Sequence, residues 1–505
     1  MALARTYSAT VEGVVAHPVM VEANIGNGLP GMFIVGLAGA AVKESRDRIR
    51  TAVSNARLPW PKTKITVSLS PANLPKAGSH FDLPVAVAVL STFIPELVPV
   101  LERTLLAGEL GLDGRLRPVD GVLPMLLADA PVDYKIIPRA NADEAALLGD
   151  RSILVADDLA EVWGWAQNQC ELAAAIDVAG PRPAAPACAD FADIAGQTSA
   201  KWALEVAAAG GHHVFMTGPP GSGKSMLAAR MPSILPPLST TQMVEATAVH
   251  SVATETASEV ITHAPYVAPH PAITKAALIG GGSGRPMPGA VSLAHHGVLF
   301  LDEVSEIPAA VLDGLRVPLE EGCVRLSRAQ REVVFPAQFQ LVMAANPCRC
   351  GAADWKGCTC TSRQRTTYLS NLSGPLRDRV DISVQTSGDT AVLHAHGSEP
   401  SRAIADRVAA AHERSRARWS TAGLGDINNA TVSGARLRRD FPATEAGMAM
   451  LGAYLAAGDL TQRGVDKTMK VAWTLADLDN ATQPDLDHVA RAAELRDVPG
   501  GQVAA

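Results

Sequence analysis

One stretch of the chain has the residue types and spacing of a phosphate-binding loop, G-x-x-x-x-G-K-[ST]. The loop consists of Gly218, Pro219, Pro220, Gly221, Ser222, Gly223, Lys224 and Ser225. Its glycines leave room for successive backbone N–H groups to turn inward around a β-phosphate. We expect Lys224 to bridge the β- and γ-phosphates of a nucleoside triphosphate and the Ser225 hydroxyl to bind Mg²⁺. A chance glycine-rich loop is the alternative, and the flanking residues decide between the two.

A phosphate loop needs a strand before it and a helix after it. Residues 213–217 (HVFMT) are typical of a short buried strand, and residues 226–230 (MLAAR) are typical of the first turns of a helix. The amino terminus of that helix would add the positive end of its dipole to the site. This context favours a nucleotide site over a chance loop.

Two neighbouring acidic residues supply the second part of the expected chemistry. Asp302 and Glu303 follow the apolar run 298–301 (VLFL), which predicts a central strand of an α/β sheet. Ligands bind at the carboxyl ends of such strands. We expect Asp302 to hold Mg²⁺, usually through water, and Glu303 to orient and deprotonate the attacking water. The alternative interpretation is an acidic pair that only faces solvent. The phosphate loop upstream favours the catalytic interpretation over this one.

Three stretches together resemble the magnesium-chelatase-like AAA+ ATPases. They are residues 280–289 (GGGSGRPMPG), residues 292–295 (SLAH) and the strand that ends at Asp302 and Glu303. Within that group the chain resembles the competence-associated ComM/YifB proteins over about residues 5–495. The resemblance implies hydrolysis of ATP to ADP and phosphate with Mg²⁺ in a homo-hexameric ring. For ComM-type members it further implies a DNA motor that drives branch migration on single-stranded or branched DNA.

Two further polar residues match sensor positions of this family. Residues 338–345 predict an apolar strand that ends at Asn346, where AAA+ ATPases sense the γ-phosphate. A strand-end asparagine is otherwise a turn residue. Arg463 matches the sensor arginine of the helical lid, and a solvated helix face is the competing interpretation.

An arginine from a neighbouring subunit can complete an active site in a ring, because ring contacts are head to tail. Arg379 best matches the position of this arginine finger in the family, and Arg377 is the second choice. Such an arginine stabilises charge on the transferring phosphoryl group. The alternative is a structural ion pair with Asp378 or Asp381.

Residues 320–336 predict a hairpin, because two alternating strands flank a polar tip. It carries Arg325, Arg328 and Arg331, which could contact DNA phosphates inside a ring channel. Related ring helicases place a pore hairpin here, which favours DNA binding. A solvated hairpin edge decorated with charge remains the alternative.

Four cysteines lie close together in the loop 348–360. Cys348, Cys350, Cys358 and Cys360 form two C-x-C pairs, and four thiolates can close a tetrahedral structural Zn²⁺ site. Reduced free thiols and redox chemistry are the alternatives. The position directly after Asn346 indicates that this loop braces the γ-phosphate site.

We expect an α/β protein with three domains. Residues 1–170 predict an α+β domain, 171–189 a Pro- and Ala-rich linker, 190–390 the AAA+ P-loop ATPase core and 391–500 an all-α C-terminal lid. In the first domain, residues 74–78 and 108–121 resemble the proteolytic domain of Lon-type proteases, which implies a ribosomal S5 domain 2-type fold. Neither residue of the Ser/Lys dyad of that family is present, so we expect no protease activity.

Composition limits the remaining choices. The 505 residues include 47% hydrophobic and 19% charged residues, with 44 basic against 51 acidic side chains and a net charge of −7. Any nucleic-acid contact must therefore come from local basic patches. Residues 1–7 lack the apolar core of a signal peptide and no run of 18 apolar residues occurs, so we expect a cytoplasmic protein without a membrane partner. A chelatase-type ATPase that remodels a protein partner for metal insertion is the second functional hypothesis.

Overall fold

The computed structural model of the chain describes residues 2–36, 39–76, 78–181, 189–253, 259–282, 286–328, 331–352, 357–364, 368, 374–386 and 399–496. Two large sheets with their helices, three two-stranded ribbons and a set of carboxyl-terminal helices make up the architecture of these residues. The amino-terminal region is defined here as residues 2–181 of this set.

The amino-terminal region is built on a mixed sheet of eight strands, with spatial order β10-β9-β8-β5-β1-β2-β4-β3. The strands, together with the small separate ribbon β6–β7, are β1 (Ala2–Glu12), β2 (Val15–Gly26), β3 (Gly31–Val35), β4 (Lys64–Ser70), β5 (Thr104–Leu106), β6 (Glu109–Leu110), β7 (Leu116–Arg117), β8 (Tyr134–Pro138), β9 (Ile153–Ala156) and β10 (Ala173–Ala174). The helices are α1 (Ala40–Asn55), α2 (Asp82–Ser91), α3 (Val98–Leu101), α4 (Val122–Leu126), α5 (Ala142–Ala145), α6 (Leu159–Ala166) and α7 (Ala175–Val178).

The pattern of residues 11–25 predicts strand structure, which is confirmed for residues 11–12 and 15–25, but it does not predict the turn at residues 13–14. β1 and β2 are separate antiparallel strands joined by a tight turn at Gly13, whose φ is +66°. Valines flank the turn on both sides, at Val11, Val14 and Val15, so the residue types resemble a continuous strand. Glycine makes the reversal possible because it adopts this left-handed backbone conformation without a steric penalty.

The second sheet, the core sheet, is parallel and has the spatial order β12-β15-β18-β11-β19. The strands, with the ribbons β13–β14 and β16–β17, are β11 (Val214–Thr217), β12 (Tyr266–Val267), β13 (Gly280–Gly281), β14 (Met287–Pro288), β15 (Val298–Leu301), β16 (Cys323–Arg328), β17 (Arg331–Pro336), β18 (Gln340–Ala345) and β19 (Ile382–Gln385). The helices are α8 (Thr198–Gly210), α9 (Lys224–Arg230), α10 (Thr240–Ala253), α11 (Lys275–Ile279), α12 (Ala290–Leu293), α13 (Ala309–Leu312), α14 (Arg316–Glu321) and α15 (Gly374–Arg377).

The central strands of this sheet are buried on both faces. Val298, Leu299 and Leu301 of β15 have no exposed surface, as expected for a strand between two helical layers. Each such side chain contributes about 1.5–3 kcal/mol to folding by leaving water. A rigid strand of this kind fixes the position of the residues at its end.

Helices occupy the carboxyl-terminal part of the chain. They are α16 (Ser401–Thr421), α17 (Gly434–Asp440), α18 (Glu445–Ala457), α19 (Gln462–Leu478) and α20 (Leu486–Glu494). The sequence predicts helices at residues 401–418, 444–457, 461–478 and 484–495, which correspond to α16, α18, α19 and α20, but it does not predict the seven-residue α17. Among the helices of the described residues, none combines the length and apolar character needed to span a bilayer.

A buried ion pair attaches these helices to the core sheet. Lys467 of α19 lies with its Nζ 2.8 Å from Asp381 Oδ1 and donates to the Val380 carbonyl at 3.1 Å. Burial alone would raise the pKa of Asp381, but Lys467 and then His212 lower it well below its ordinary value. The carboxylate therefore stays charged and holds α19 at the amino end of β19.

The segment 171–189, predicted as a linker, begins with ordered structure. β10 pairs antiparallel with β9, and α7 follows directly. The linker prediction was therefore too long at its amino end, because alanine-rich composition does not distinguish a linker from a short edge strand. Residues 182–188 lie outside the described residues.

Candidate active site

The phosphate loop, Asp302 and Asn346 lie at one edge of the core sheet. β15, β18 and β11 are adjacent parallel strands, so their carboxyl ends meet there. The loop follows β11, Asp302 follows β15 and Asn346 follows β18. The order of the strands thus brings together residues that are far apart in the sequence.

The Lys224 side chain lies inside the loop that is expected to bind the phosphates. Its Nζ donates to the carbonyls of Gly218 at 2.8 Å and Pro219 at 2.9 Å, and to Asn346 Oδ1 at 3.2 Å. Only 7% of the residue is exposed. Burial lowers the pKa of Lys224, while Asp302 and Glu303 oppose that shift. The ammonium group therefore lies in a polar cradle beside two acids.

Ser225 and Asp302 form the expected oxygen pair for a divalent cation. The Ser225 hydroxyl donates to Asp302 Oδ2 at 2.7 Å, and the second oxygen, Oδ1, accepts the Glu303 N–H at 2.8 Å. Oxygen ligands of this kind suit Mg²⁺. The donor set therefore fits the ion that the sequence predicts.

Glu303 has an unusual backbone. Its φ is +46° and its ψ is 42°, a left-handed conformation that costs a non-glycine residue of order 1–3 kcal/mol. Its side chain is exposed at the same edge of the sheet as the phosphate loop. Strain of this kind is concentrated at active sites, which agrees with the role predicted for this carboxylate.

Two residues beside the loop were not identified from the sequence. Thr386 follows β19, and its hydroxyl lies 2.6 Å from the Ser222 hydroxyl. Gln197 donates from Nε2 to the Ser222 carbonyl at 3.0 Å. Both hold the back of the loop. Thr386 could have been found, because it is the polar residue at the carboxyl end of the strand next to β11.

Comparison with known proteins agrees with this geometry. Residues 190–392 match the family described as "Magnesium chelatase, subunit ChlI", residues 21–141 match "Subunit ChlI of Mg-chelatase", and residues 398–496 match "Magnesium chelatase, subunit ChlI C-terminal". An uncharacterized protein of Mycobacterium tuberculosis is 47% identical over 501 residues, covering 98% of this chain and 99% of that protein. The uncharacterized protein YifB of Escherichia coli is 36% identical, covering 98% and 97%. Competence protein ComM of Haemophilus influenzae is 37% identical, covering 98% of both.

The chain belongs to the magnesium-chelatase-like ComM/YifB family. Its mixed α/β structure, with a parallel sheet and carboxyl-terminal helices, is consistent with a magnesium-chelatase-like AAA+ fold. Membership indicates an AAA+-type ATPase that uses ATP and Mg²⁺.

In this ComM/YifB chain the finger candidate Arg379 lies away from the phosphate loop of its own chain. It precedes β19, whereas the loop lies at the carboxyl ends of the parallel strands. Its guanidinium forms an ion pair with Glu320 of α14, not with the aspartates considered from the sequence. Arg377 is exposed.

The sensor candidate Arg463 also lies apart from the loop. It is exposed at the start of α19, one turn before Lys467, which is attached at the amino end of β19. Among the described residues no hydrogen bond joins Arg463 to the phosphate loop. Its role as a sensor stays a prediction.

The predicted hairpin is formed by β16 and β17, which pair from Cys323 with Pro336 to Arg328 with Arg331. Arg325 is half exposed, and its Nε lies 3.1 Å from Glu321 Oε2. The side chains of Arg328 and Arg331 lie outside the described part of the chain. The arginines' role in DNA binding therefore stays a prediction.

The cysteine loop brings its four sulfur atoms within 4.8 Å of one another, which is compatible with one metal ion. Cys348 Sγ lies 3.0 Å from Cys350 Sγ and 3.4 Å from Cys358 Sγ. The Cys348 thiol hydrogen bond lowers the pKa of Cys350 to about 5. A Cβ placed on Gly351 would lie 2.7 Å from Pro220 Cγ, so this loop packs directly on the phosphate loop.

A second cluster consists of Glu245, His295 and His296, whose ligand atoms also lie within 4.8 Å of one another. The Gln338 N–H donates to His295 Nδ1 at 3.0 Å. The neutral His295 ring must therefore carry its proton on Nε2, which faces Glu245 at 3.4 Å. A protonated Nε2 cannot bind a metal. The cluster is better explained as a polar tether between α10 and the segment before β15.

Proposed function

We propose that this ComM/YifB-family chain is an ATP-hydrolysing homo-hexameric motor that acts on DNA, in branch migration during recombination or transformation. The observation that carries the proposal is the convergence of Lys224, the Ser225–Asp302 pair and Glu303 at one sheet edge. In this proposal Lys224 neutralises phosphate charge, Ser225 and Asp302 hold Mg²⁺, and Glu303 takes a proton from the attacking water.

A ring arrangement is supported by the position of Arg379. This residue lies just before the amino end of β19, whereas the site of its own chain lies at the carboxyl ends of the strands. Arg379 therefore does not reach that site. The end of the sheet that carries Arg379 would face the adjacent site in a head-to-tail ring. Glu320, which pairs with Arg379 in the single chain, would release it on assembly.

We expect Arg379→Ala to lower ATP turnover at least about a hundred-fold, because a finger arginine stabilises transition-state charge. Arg377→Ala tests the second candidate, an exposed arginine at the end of α15, and should retain turnover if Arg379 is the finger. Steady-state phosphate release measures both. Mixing Arg379→Ala with Lys224→Ala protein should restore part of the activity, since one supplies intact sites and the other supplies fingers. No recovery in mixed oligomers would contradict a finger that acts between subunits.

DNA is proposed as the substrate on the basis of the arginine hairpin and the relative named as a competence protein. The test is ATP turnover with and without single-stranded, duplex and four-way-junction DNA, with Lys224→Ala as the inactive control. We expect at least one DNA to stimulate turnover. If none stimulates turnover and none binds at low salt, the DNA proposal fails while the ATPase proposal stands.

We expect the triple variant Arg325→Ala, Arg328→Ala, Arg331→Ala to bind DNA more weakly and with a shallower salt dependence. Each lost phosphate contact should reduce the slope of log K against log salt by about 0.7–0.9. A triple variant of exposed arginines elsewhere, Arg50, Arg115 and Arg402 to alanine, removes the same charge. Fluorescence anisotropy of labelled DNA at several salt concentrations separates the effect of local contacts from that of net charge. Equal salt slopes for the two variants would exclude the hairpin as a DNA-binding element.

The cysteine loop is proposed to hold structural Zn²⁺, because four sulfur ligands leave no open coordination position. We expect about one zinc per chain by elemental analysis, and loss of zinc in Cys350→Ser and Cys358→Ser. Cys170→Ser, at an exposed cysteine outside the cluster, should keep it. Purified protein with far less than one zinc per chain would remove the proposal.

The amino-terminal region is proposed to have a Lon-like, S5-type fold without protease activity. The proposal rests on the resemblance of residues 74–78 and 108–121 to Lon-type proteases and on the absence of the Ser/Lys dyad from the sequence. The second candidate function, a chelatase-type ATPase that remodels a protein partner, rests on the family's description as a magnesium chelatase subunit. ATP turnover that responds to no DNA would favour it.

A further inference from the structure

The arginine hairpin rests against the first turn of the chain. Gly13, in the turn between β1 and β2, is buried against β17. A Cβ at this position would lie 2.8 Å from Val333 Cγ1 and 2.9 Å from the Val334 carbonyl oxygen. The backbone of the amino-terminal region therefore contacts the hairpin with no space between them.

An apolar cluster surrounds this contact. Val333 and Phe335 of β17 are 3% and 1% exposed, and they pack with Val252 at the end of α10. Val11 and Val14, on either side of the turn, cover the same cluster. Side chains from the amino-terminal region, α10 and the hairpin thus share one small core.

A second contact fixes α10 to the same region. The Gly121 N–H donates to the Ser251 hydroxyl at 2.9 Å. Ala248 and Val260 pack with Leu123 and Leu147 of the amino-terminal region. The element behind the hairpin is therefore attached to the amino-terminal region as well.

The hairpin needs such support, because β16 and β17 pair with each other and with no further described strand. An isolated two-stranded ribbon is marginally stable in water. On the core side, Val324 packs with the cluster around β15 and β18. On the other side, Val333 and Phe335 depend on the turn at Gly13 and on α10.

We propose that the amino-terminal region is the support that positions the arginine hairpin relative to the ATPase core. In this role it acts by packing, and the turn at Gly13 is the point of contact. The consequence for DNA rests on the proposed function, whereas the positioning itself does not. The contact joins two parts of the chain that the expected domain division separates.

The test is Gly13→Ala in the full-length chain, with Gly149→Ala as the matched control. Gly149 has φ +63°, against +66° for Gly13, and has no atom within 4 Å of an added Cβ. Both variants carry the backbone strain of an alanine in this conformation, but only Gly13→Ala presses on β17. Hydrogen exchange followed by mass spectrometry reports the protection of residues 323–336.

We expect Gly13→Ala to lower hairpin protection by about ten-fold or more relative to Gly149→Ala, with basal ATP turnover retained. If Gly13→Ala does not fold, Val333→Ala takes its place, because it removes the methyl groups of the hairpin that face Gly13. It should lower the exchange protection of the hairpin in the same way. Equal hairpin protection in Gly13→Ala, Val333→Ala and Gly149→Ala would overturn the proposal. If DNA stimulates wild-type turnover, Gly13→Ala should reduce the stimulation. If DNA has no effect on the wild type, the exchange result alone still decides the positioning role.

Discussion

Replacing Lys224 with alanine should reduce ATP turnover to background, a loss of at least about a thousand-fold. The Nζ of this residue lies among the Gly218 and Pro219 carbonyls and Asn346, at the centre of the loop. Without the ammonium group, the loop loses the full positive charge that is expected to offset the charge of the β- and γ-phosphates. Nucleotide affinity should fall together with turnover, as measured with a fluorescent ATP analogue and by phosphate release.

Lys62→Ala is the control for this variant, because Lys62 is exposed in the amino-terminal region, far along the chain from the loop. It should leave both affinity and turnover unchanged. Circular dichroism spectra should show that both variants fold. Turnover by Lys224→Ala within a few-fold of wild type would refute the assignment of the phosphate loop.

Glu303→Gln should separate binding from chemistry. The amide keeps the size of the side chain and the backbone N–H that donates to Asp302, so the Ser225–Asp302 pair remains in place. It cannot accept a proton from water, and the loss of a general base costs about 10²–10⁴-fold in turnover. We therefore expect ATP to bind with near wild-type affinity while hydrolysis almost stops.

Glu306→Gln is the matched control, since Glu306 is an exposed acid on the short helix that begins directly after Glu303. Single-turnover hydrolysis measures the chemical step, and equilibrium binding of the fluorescent analogue measures affinity. A Glu303→Gln variant that loses affinity but keeps its single-turnover rate would show that this carboxylate holds the nucleotide and does not act as the base.

Local patterns predicted the elements around the site well. The strand before the phosphate loop and the helix after it lie where the residue pattern predicts them. Where prediction failed, a local pattern was ambiguous. The β1–β2 turn at Gly13 lies in a valine-rich stretch, and α17 has only seven residues.

The sequence by itself predicted the chemistry that is proposed for the nucleotide site. A phosphate loop works through glycine backbone freedom, one lysine and one hydroxyl at fixed spacing, so short stretches of chain carry the whole signal. Two acids after an apolar strand carry a similarly local signal. Family membership was likewise recognisable from a few contiguous motifs.

Only the tertiary structure decided which distant residues meet. Three contacts join residues that are far apart in the chain. They are the ion pair of Arg379 with Glu320, the contact of Thr386 with the phosphate loop, and the packing of the hairpin against Gly13. Such contacts depend on the order of strands in the sheet and on packing between regions. Neither the strand order nor the packing between regions can be recognised from the residue types of a single segment, because burial and pairing each depend on two surfaces.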